Sequence, residues 1–237
     1  MEESKQVKHI AIIMDGNRRF AQKQGLDKVR GHDSGAKKLG EVIEWCLEYR
    51  IKELTLYTFS MQNFSREKRE VDTLLNLFRK HFEKLKDDNK ISKNRIRVRV
   101  IGRIHMFPED LQRSIYEIME KTKTHDNLTI NFAMAYGGRE EIVDAVRKIA
   151  EDVKFGSINI TNIDSIDEKM FASKLYLNSD PEIVIRTGGD KRTSNFLPWQ
   201  TIYSEWFFTT SLWPEFSKEE FVKILDEFNS RERRFGK

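Results

Sequence analysis

The sequence alternates between short apolar runs and longer amphipathic segments, and this alternation limits the fold more than any other feature. The runs are β-branched and short, which is typical of strands buried on both faces of a sheet. They cover residues 9–14, 54–59, 96–101, 128–135 and 183–185, with a weaker sixth at 204–208. Segments with apolar residues at helical spacing lie between them. This order predicts an α/β fold: a central, mostly parallel sheet of about six strands flanked by helices.

Nothing in the chain marks a boundary between domains. Its 237 residues contain no linker, repeat or low-complexity segment, so we expect a single domain over residues 1–237. Charged residues make up 34%, but Lys and Arg are interleaved with Asp and Glu and the net charge is only +4. This pattern is typical of a solvated helical surface, whereas a nucleic-acid-binding protein usually has a basic stripe or domain. We therefore expect no nucleic-acid partner.

Cysteine use and hydropathy bear on the compartment. Cys46 is the only cysteine, and its apolar neighbours predict a buried small hydrophobe. Residues 1–8 lack the apolar core of a signal peptide, and no apolar run approaches the ~20 residues needed to cross a bilayer. These features predict a cytoplasmic protein.

The most informative residues follow the predicted strands, because ligands of parallel sheets bind beyond the carboxyl ends of the strands. The first strand ends in Asp15-Gly16-Asn17-Arg18-Arg19. Glycine allows a ligand to approach closely, the following backbone N–H groups can hold phosphate oxygens, and the two arginines add fork-shaped donors. Asp15 among phosphates indicates an intervening cation such as Mg²⁺. An ordinary turn in which Asp15 caps a helix would explain the same residues.

The end of the second strand carries a weaker signal. Residues 59–66 offer a hydroxyl, an amide, an aromatic ring and a cation at a strand-to-helix turn. Helix capping by Ser60 or Ser65 is the simpler explanation of these residues. Taken alone, this segment does not identify a ligand site.

The end of the fifth strand predicts a second anion site. Arg186 and Arg192 flank a Gly-Gly turn and precede Ser194, with a flexible basic loop as the alternative. Glu205 follows within a largely apolar aromatic stretch. Because a buried carboxylate needs a partner, we expect a metal ion shared with Asp15.

The order of these motifs resembles the cis-prenyltransferase family, the undecaprenyl- and polyprenyl-type diphosphate synthases. The matching motifs are His9–Asn17, Gly31-His32, Phe59-Ser60, Asn63, Arg66, Glu70-Val71, Tyr136–Arg139, Arg186–Gly189, Arg192, Ser194–Leu197, Trp199-Gln200, Tyr203, Glu205, Leu212–Pro214 and Arg231–Gly236. They extend over nearly the whole chain. Each is weak alone, but so many matches in the same order are not expected by chance, and the resemblance is to an archaeal-type or otherwise divergent member.

The resemblance implies an activity and its partners. Members of this family condense isopentenyl diphosphate with an allylic prenyl diphosphate, form cis double bonds, and give a polyprenyl diphosphate that is a precursor of lipid carriers. The resemblance also implies dependence on Mg²⁺, a homodimer, and an apolar tunnel between sheet and helices. Because a long product is nearly insoluble, transient peripheral contact with a membrane surface is consistent with it.

Roles for individual residues follow from the same resemblance. Asp15 and Asn63 would be catalytic, with Asn63 helping to remove a proton, and Asp15 and Glu205 would hold Mg²⁺. The allylic diphosphate would be bound by Gly16, Asn17, Arg18, Arg19, Lys28 and His32, and isopentenyl diphosphate by Arg186, Arg192 and Ser194. The remaining substrate-binding positions are Phe20, Ser60, Met61, Gln62, Phe64, Arg66 and Thr193. The segment Arg234-Phe235-Gly236 would reach across the dimer toward the active site.

Several residues depart from the usual family pattern. They are Arg18 in place of Gly, Phe20 and Phe64 in place of Trp, Lys28 in place of Arg, and Met61-Gln62 and Asp190-Lys191 in place of Ser-Glu and Glu-His. The allylic starter (dimethylallyl, geranyl, farnesyl or geranylgeranyl), the product length and the regularity of coupling are therefore open.

Other functions remain as alternatives. Short-chain or irregular coupling by the same fold is one, and a non-catalytic partner subunit is another, although such subunits typically lose the Asp and Arg positions that this chain keeps. A phosphate-binding hydrolase or nucleotide-binding protein lacks support from any P-loop or base-reading element.

Overall fold

The computed structural model describes residues 6–158 and 165–231. Its strands are β1 (His9–Ile13), β2 (Glu53–Ser60), β3 (Ile96–Ile101), β4 (Leu128–Tyr136), β5 (Ile183–Arg186) and β6 (Glu205–Phe208). They form one six-stranded sheet in the order β3-β4-β2-β1-β5-β6, and all neighbouring strands pair in parallel. The predicted α/β fold is therefore confirmed.

Helices make up most of the connections between the strands. They are α1 (Asn17–Lys23), α2 (Lys28–Glu48), α3 (Lys68–Asp87), α4 (Asn89–Lys93), α5 (Glu109–Lys121), α6 (Gly138–Lys154), α7 (Glu168–Lys174) and α8 (Lys218–Ser230). Short 3₁₀ turns include Met61–Ser65, Ile104–Met106 and Trp213–Glu215. The last helix begins with a capping box between Ser217 and Glu220. Within the described ranges, no helix has the length and apolarity needed to span a membrane.

Both faces of the sheet are buried, which explains why the strand runs are continuously apolar. Ile10 and Ile12 of β1 belong to a large core cluster, whereas Ala11 and Ile13 belong to a smaller cluster on the other face. Cys46 lies in the large cluster, where burial raises the pKa of its thiol to about 12. It is therefore the buried, unreactive hydrophobe that its neighbours predict.

The topology determines where the predicted motifs meet. From β1 the sheet extends through β2 to β4 and β3 on one side, and through β5 to β6 on the other. The end of β1 lies beside the end of β5, since Ile13 pairs with Arg186. Parallel sheets bind ligands at such a switch point. The motifs that follow β1, β2 and β5 therefore come together at one edge of the sheet.

Candidate active site

The turn after β1 is built around Gly16, the N-cap residue of α1. Gly16 has a φ of +112°, and a β-carbon there would lie 2.9 Å from Leu212 Cα, so both conformation and space require glycine. The Asp15 carbonyl accepts hydrogen bonds from Trp213 N (2.9 Å) and Thr187 Oγ1 (2.7 Å), which tie the turn to two other loops. The Asp15 carboxylate is bound by arginines instead of capping α1, so the simple capping turn is excluded.

Arg186 organises a charged region that we call the mouth, formed by Asp15, Arg19, Arg186, Asp190, Arg192 and Ser194. Only 3% of the Arg186 side chain is exposed. Its Nη2 donates to Asp15 Oδ2 (2.7 Å), and its Nη1 donates to Ser194 Oγ (2.7 Å) and to the Arg192 carbonyl (2.6 Å). Its buried Nε has no hydrogen-bond partner among the described residues. Arg186 therefore positions its neighbours and has one donor left for a further acceptor.

Arg19, Asp190 and Arg192 complete the mouth. Arg19 donates to the Gly188 carbonyl (2.6 Å), and its Nη2 lies 3.1 Å from Asp15 and 3.5 Å from Asp190. A hydrogen bond from Arg192 holds the pKa of the Asp190 carboxyl below its usual value, although the Arg192 side chain is 60% exposed. Two carboxylates among three arginines leave a net positive charge. An incoming anion can therefore replace a carboxylate on the exposed guanidinium groups.

A second cluster of charges lies where α1, α2 and α3 approach each other. Glu70 pairs with Arg66 (2.9 Å) and lies 3.9 Å from Arg18, so it offsets part of the unusual charge of Arg18. His32 lines the same cavity, and in the described part of the chain its buried Nε2 has no partner. Burial lowers the pKa of His32, and the nearby Arg66 cation lowers it further. The imidazole is therefore neutral at pH 7.

A cavity of about 1890 Å³ opens at the mouth and continues between the sheet and helices α2 and α3. We call its inner part the channel, whose apolar walls are Leu39, Ile43, Leu47, Leu74, Leu77, Phe78, Phe82, Leu85, Ile91, Ile130, Phe132 and Met134. The lining residues of β4 alternate along the strand, as expected for one face of a sheet. At the far end an ion pair joins Lys90 to Glu44 (2.6 Å). The predicted apolar tunnel is therefore confirmed.

Known proteins share the region that carries the mouth and the channel. A family model described as "Putative undecaprenyl diphosphate synthase" matches residues 13–236. The chain belongs to this family. Curated relatives include the tritrans,polycis-undecaprenyl-diphosphate synthases (geranylgeranyl-diphosphate specific) of Pyrococcus horikoshii and Methanocaldococcus jannaschii. The first is 48% identical, with 97% of this chain and 87% of the relative covered, and the second is 46% identical, with 97% and 82% covered.

A solved structure of the same fold comes from a plant. The lavandulyl diphosphate synthase from Lavandula x intermedia, in complex with dimethylallyl diphosphate, matches with a TM-score of 0.91 and 34% identity, covering 98% of this chain and 99% of that one. Membership of the undecaprenyl diphosphate synthase family confirms that the chain is a cis-type prenyltransferase. The family's reaction joins isopentenyl diphosphate to an allylic diphosphate, and a charged mouth with an apolar channel suits both substrates.

The cavity brings together most of the predicted site residues. Those that line it are Asp15, Gly16, Asn17, Arg18, Arg19, His32, Ser60, Gln62, Asn63, Arg66, Arg186, Arg192 and Ser194. The Lys28 side chain and the segment Arg234-Phe235-Gly236 lie outside the described residues. Their roles in this undecaprenyl diphosphate synthase family member stay predictions.

Met61 and Phe64 do not line the cavity, although a substrate-binding role was predicted for both. They are three residues apart in a 3₁₀ turn, where this spacing places side chains on one face. That face packs against the large core, and Phe64 meets Phe59 at 4.9 Å between ring centroids. The intervening Gln62 and Asn63 line the cavity instead.

Phe20 and Thr193 are also outside the set of cavity-lining residues. Asn17 and Ala21 line the cavity from α1 and are one helical turn apart, so Phe20 lies off that face. Thr193 has an exposed side chain, and its carbonyl accepts a hydrogen bond from Phe196 N (3.1 Å). Neither position is supported as a substrate contact by this geometry.

The environment of Asn63 refines its predicted catalytic role. Its Oδ1 accepts a hydrogen bond from Ser60 N (2.9 Å), which belongs to a capping box between the two residues. Ser60 is the N-cap residue of this 3₁₀ turn, at one of the two positions where capping was predicted. The other group of the Asn63 amide is the NH₂, which donates hydrogen bonds and accepts no proton.

Glu205 does not meet Asp15 within the chain, so one chain alone does not bring these two carboxylates to a shared metal ion, and their predicted metal-binding role stays a prediction. Glu205 pairs in register with Ile183, which pairs with Ile10. Asp15 lies five residues beyond Ile10, about 16 Å along the strand direction. Glu205 begins its strand instead of ending it, and it forms an ion pair with Arg231 (2.7 Å).

Tyr57 and Asn195 line the cavity but have no role in the sequence-based prediction. Tyr57 donates a hydrogen bond to the Ser194 carbonyl (3.2 Å) and stacks on Phe196 at 4.7 Å. Burial raises the pKa of Tyr57 to about 12, so it remains a neutral donor. Position 57 could have been found as an inward-facing residue near the end of the second strand. The contacts of Asn195 depend on a segment that is remote in sequence.

Proposed function

We propose that this enzyme elongates geranylgeranyl diphosphate with isopentenyl diphosphate, forming cis double bonds and a polyprenyl diphosphate of undecaprenyl type. The observation that carries the proposal is the continuity of the cationic mouth with the long apolar channel. A mouth alone would suit any phosphorylated ligand, whereas the channel requires a hydrocarbon tail. The choice of starter is supported by the archaeal relatives, whose names specify geranylgeranyl diphosphate.

The allylic diphosphate binds along the start of α1, near Arg18, Arg19 and His32. Breaking its C1–O bond leaves an allylic cation and an inorganic diphosphate. The arginines lower the barrier because they are already positioned where negative charge develops on the leaving group. The hydrocarbon tail of the starter extends into the channel, away from water.

Isopentenyl diphosphate binds on the other side of the mouth, near Arg192 and Ser194. Its terminal alkene carbon forms a bond to C1 of the allylic cation, and a proton then leaves C2 to restore a double bond. The Asn63 amide is a donor, so its role is to orient the diphosphate, and a diphosphate oxygen takes the proton. No strongly basic side chain is needed, because the proton leaves a carbocation.

The residues at the mouth fit a divalent cation only together with substrate. In the described ranges, no group of three or more His, Cys, Asp or Glu side chains could hold a metal by itself. Mg²⁺ commonly binds through one or two carboxylates plus substrate phosphates, and Asp15 offers such a carboxylate beside the diphosphate positions. When bound, Mg²⁺ neutralises charge on the diphosphate groups.

Product analysis tests the proposal directly. The protein is incubated with labelled isopentenyl diphosphate, Mg²⁺ and, in turn, dimethylallyl, geranyl, farnesyl or geranylgeranyl diphosphate, and the products are identified by mass spectrometry. We expect the highest kcat/KM with geranylgeranyl diphosphate and polyprenyl products. A product confined to one added unit, or an absence of condensation with every starter, would contradict the proposal.

Irregular coupling is the second candidate, because the lavandulyl diphosphate synthase has a TM-score of 0.91 to this chain. In that case dimethylallyl diphosphate alone would give a branched product. The same experiment without isopentenyl diphosphate separates the two candidates. The higher identity of the undecaprenyl-type relatives favours regular elongation.

We further propose a homodimer, which an exposed apolar surface supports. Ile202 and Tyr203 precede the edge strand β6 and are 72% and 76% exposed. Such a surface is typical of a contact with another chain. The homodimer can be tested by comparing the sedimentation of the wild type with that of the Ile202→Asp variant. A cytoplasmic location and transient contact with a membrane during product release stay predictions.

A further inference from the structure

Three residues of the loop after β5 have a left-handed backbone conformation. Ser194, Asn195 and Leu197 have φ values of 52°, 63° and 47°. These angles are uncommon outside glycine, and in Ser and Leu they persist only where the surroundings hold them. Ser194 also accepts the hydrogen bond from Arg186 Nη1. The conformation of this loop therefore determines where the Ser194 hydroxyl lies.

Asn195 connects this loop to the start of α6. Gly138 N donates to the Asn195 carbonyl (2.8 Å), and Arg139 N donates to Asn195 Oδ1 (2.9 Å). Asn195 Nδ2 in turn donates to Glu140 Oε2 (3.0 Å). A helix leaves its first N–H groups unpaired, and the N-cap residue of α6, Gly137, has no side chain to bind them. A residue from a distant part of the chain therefore caps α6.

The pair Gly137-Gly138 provides the space for this contact. A β-carbon on Gly138 would overlap Pro198 and would lie 3.1 Å from the Asn195 carbonyl oxygen. A β-carbon on Gly137 would overlap the Glu140 carboxylate that receives the Asn195 amide. The glycine pair therefore serves as a docking surface for the loop as well as a strand-to-helix turn.

We propose that Asn195 is a positioning residue for isopentenyl diphosphate. By capping α6, it holds Ser194 in the left-handed conformation that directs its hydroxyl to Arg186 and leaves Arg192 facing the mouth. The Tyr57 hydroxyl supports the same arrangement from β2. This inference rests on the proposed function, because it assigns the loop to that substrate.

Three variants separate the cap from the backbone conformation. Asn195→Ala removes both side-chain bonds, Asn195→Gly permits the left-handed φ without a cap, and Asn195→Asp keeps an acceptor for Arg139 N. We expect Asn195→Ala and Asn195→Gly to raise the KM for isopentenyl diphosphate about tenfold, the effect of losing roughly one cap bond. The kcat and the KM for the allylic diphosphate should stay within about twofold. Asn195→Asp should restore only part of the affinity, because it keeps the acceptor for Arg139 N but places a carboxylate oxygen against Glu140.

A remote cap provides the matched control. Asp167 caps α7 by accepting a hydrogen bond from Met170 N (2.7 Å), so Asp167→Ala should lower Tm without changing either KM. Hydrogen exchange of the Arg139 amide should accelerate in Asn195→Ala and not in Asn195→Asp. An unchanged KM in Asn195→Ala, or an equal loss in all kinetic constants alongside Tm, would overturn the positioning role.

Calorimetric titration of the wild type with isopentenyl diphosphate tests the proposed function separately from the role of Asn195. Absence of binding would overturn both the proposed function and the role of Asn195. Binding by the wild type, together with equal binding by Asn195→Ala, would overturn only the role of Asn195.

Discussion

The mouth and the channel belong to one cavity but are formed by opposite kinds of side chain, charged in the mouth and apolar in the channel. In the mouth, every carboxylate contacts an arginine, and Arg186 is buried with partners on two of its three nitrogens. In the channel, the walls are mainly apolar side chains from α2, α3 and β4, and the polar residues of the lining include His81 and the ion-paired Glu44 and Lys90. Fixed charges act on the transition state, whereas apolar walls act through shape and volume.

This difference separates the expected effects of mutations. Charge changes at the mouth should alter the rate or the binding of one substrate, and volume changes in the channel should alter the product. Each variant below tests whether the two regions are functionally separate.

Asp15→Ala should have the largest effect. The substitution removes the carboxylate that binds Arg19 and Arg186 and that is offered to Mg²⁺, so activity should fall at least a hundred- to a thousandfold. The measurement is incorporation of labelled isopentenyl diphosphate, with circular dichroism as the test of folding. Asp15→Asn is the matched control for shape, because it keeps an oxygen acceptor and loses the charge. A folded variant with full activity would refute the role of Asp15.

Arg192→Ala should have the next largest effect, and it should be selective. The Arg192 side chain is 60% exposed, so its removal should leave the fold intact. Losing a charge-assisted contact to a diphosphate should raise the KM for isopentenyl diphosphate about ten- to a hundredfold. Steady-state kinetics with each substrate varied separately will measure this, and Lys191→Ala, one position away, is the control. The division of the mouth into two sites fails if only the allylic KM changes.

The pH dependence of allylic binding should be smaller. Burial keeps the pKa of His32 below its ordinary value of 6.5 in the free enzyme, and a bound diphosphate should raise it. As pH falls through the interval between these two values, binding takes up a proton and affinity rises. The gain is at most about tenfold for each unit by which the ligand raises the pKa. Above that interval His32 contributes no pH dependence.

Titration calorimetry with the allylic diphosphate will measure this effect. The titrations should run from about pH 8 to about pH 5.5, a range that includes the ordinary histidine pKa. The substrate phosphates also titrate, so His32→Gln provides the baseline. Identical pH profiles for the wild type and His32→Gln would show that the imidazole takes no part.

The sequence predicts the mouth well because its residues follow strands. The rule that ligands bind beyond the carboxyl ends of parallel strands selects Asp15, Arg186 and Ser194, and the structure places them within hydrogen-bonding distance of each other through Arg186. The same rule does not select Glu205, because this residue opens its strand, as the apolar run at 204–208 already indicates.

The sequence predicts the channel poorly because apolar periodicity does not distinguish a core face from a channel wall. Leu74, Phe78 and Phe82 lie on one apolar face of a helix, and all three line the cavity. Phe82 also packs in the core beside Phe132, so the same apolar face supplies both core and channel wall. Asn195 is a similar case, because its partners in α6 are set by tertiary packing. Volume left unfilled between packed layers has no signature in a single sequence.

Phe78→Ala should therefore leave the mouth unaffected and change only the product. Phe78 is half-buried in the channel wall and meets Phe59 at 5.8 Å between ring centroids. Shortening it should widen the channel and shift the products toward longer chains, with kcat for the first condensation within about twofold of the wild type. The stability cost should not exceed about 3 kcal/mol, the lower end for a buried Phe→Ala change, because the ring is not fully buried.

Phe155→Ala is the matched control, since Phe155 is 75% exposed at the end of α6 and should affect neither product nor rate. Chromatography of the radiolabelled products, with single-turnover kinetics on geranylgeranyl diphosphate, will measure both quantities. If Phe78→Ala slowed the first condensation as much as Arg192→Ala while leaving the chain length unchanged, the channel would act on catalysis instead of product size. The functional separation of mouth and channel would then be wrong, because the shape of the channel wall would affect the position of the reacting atoms.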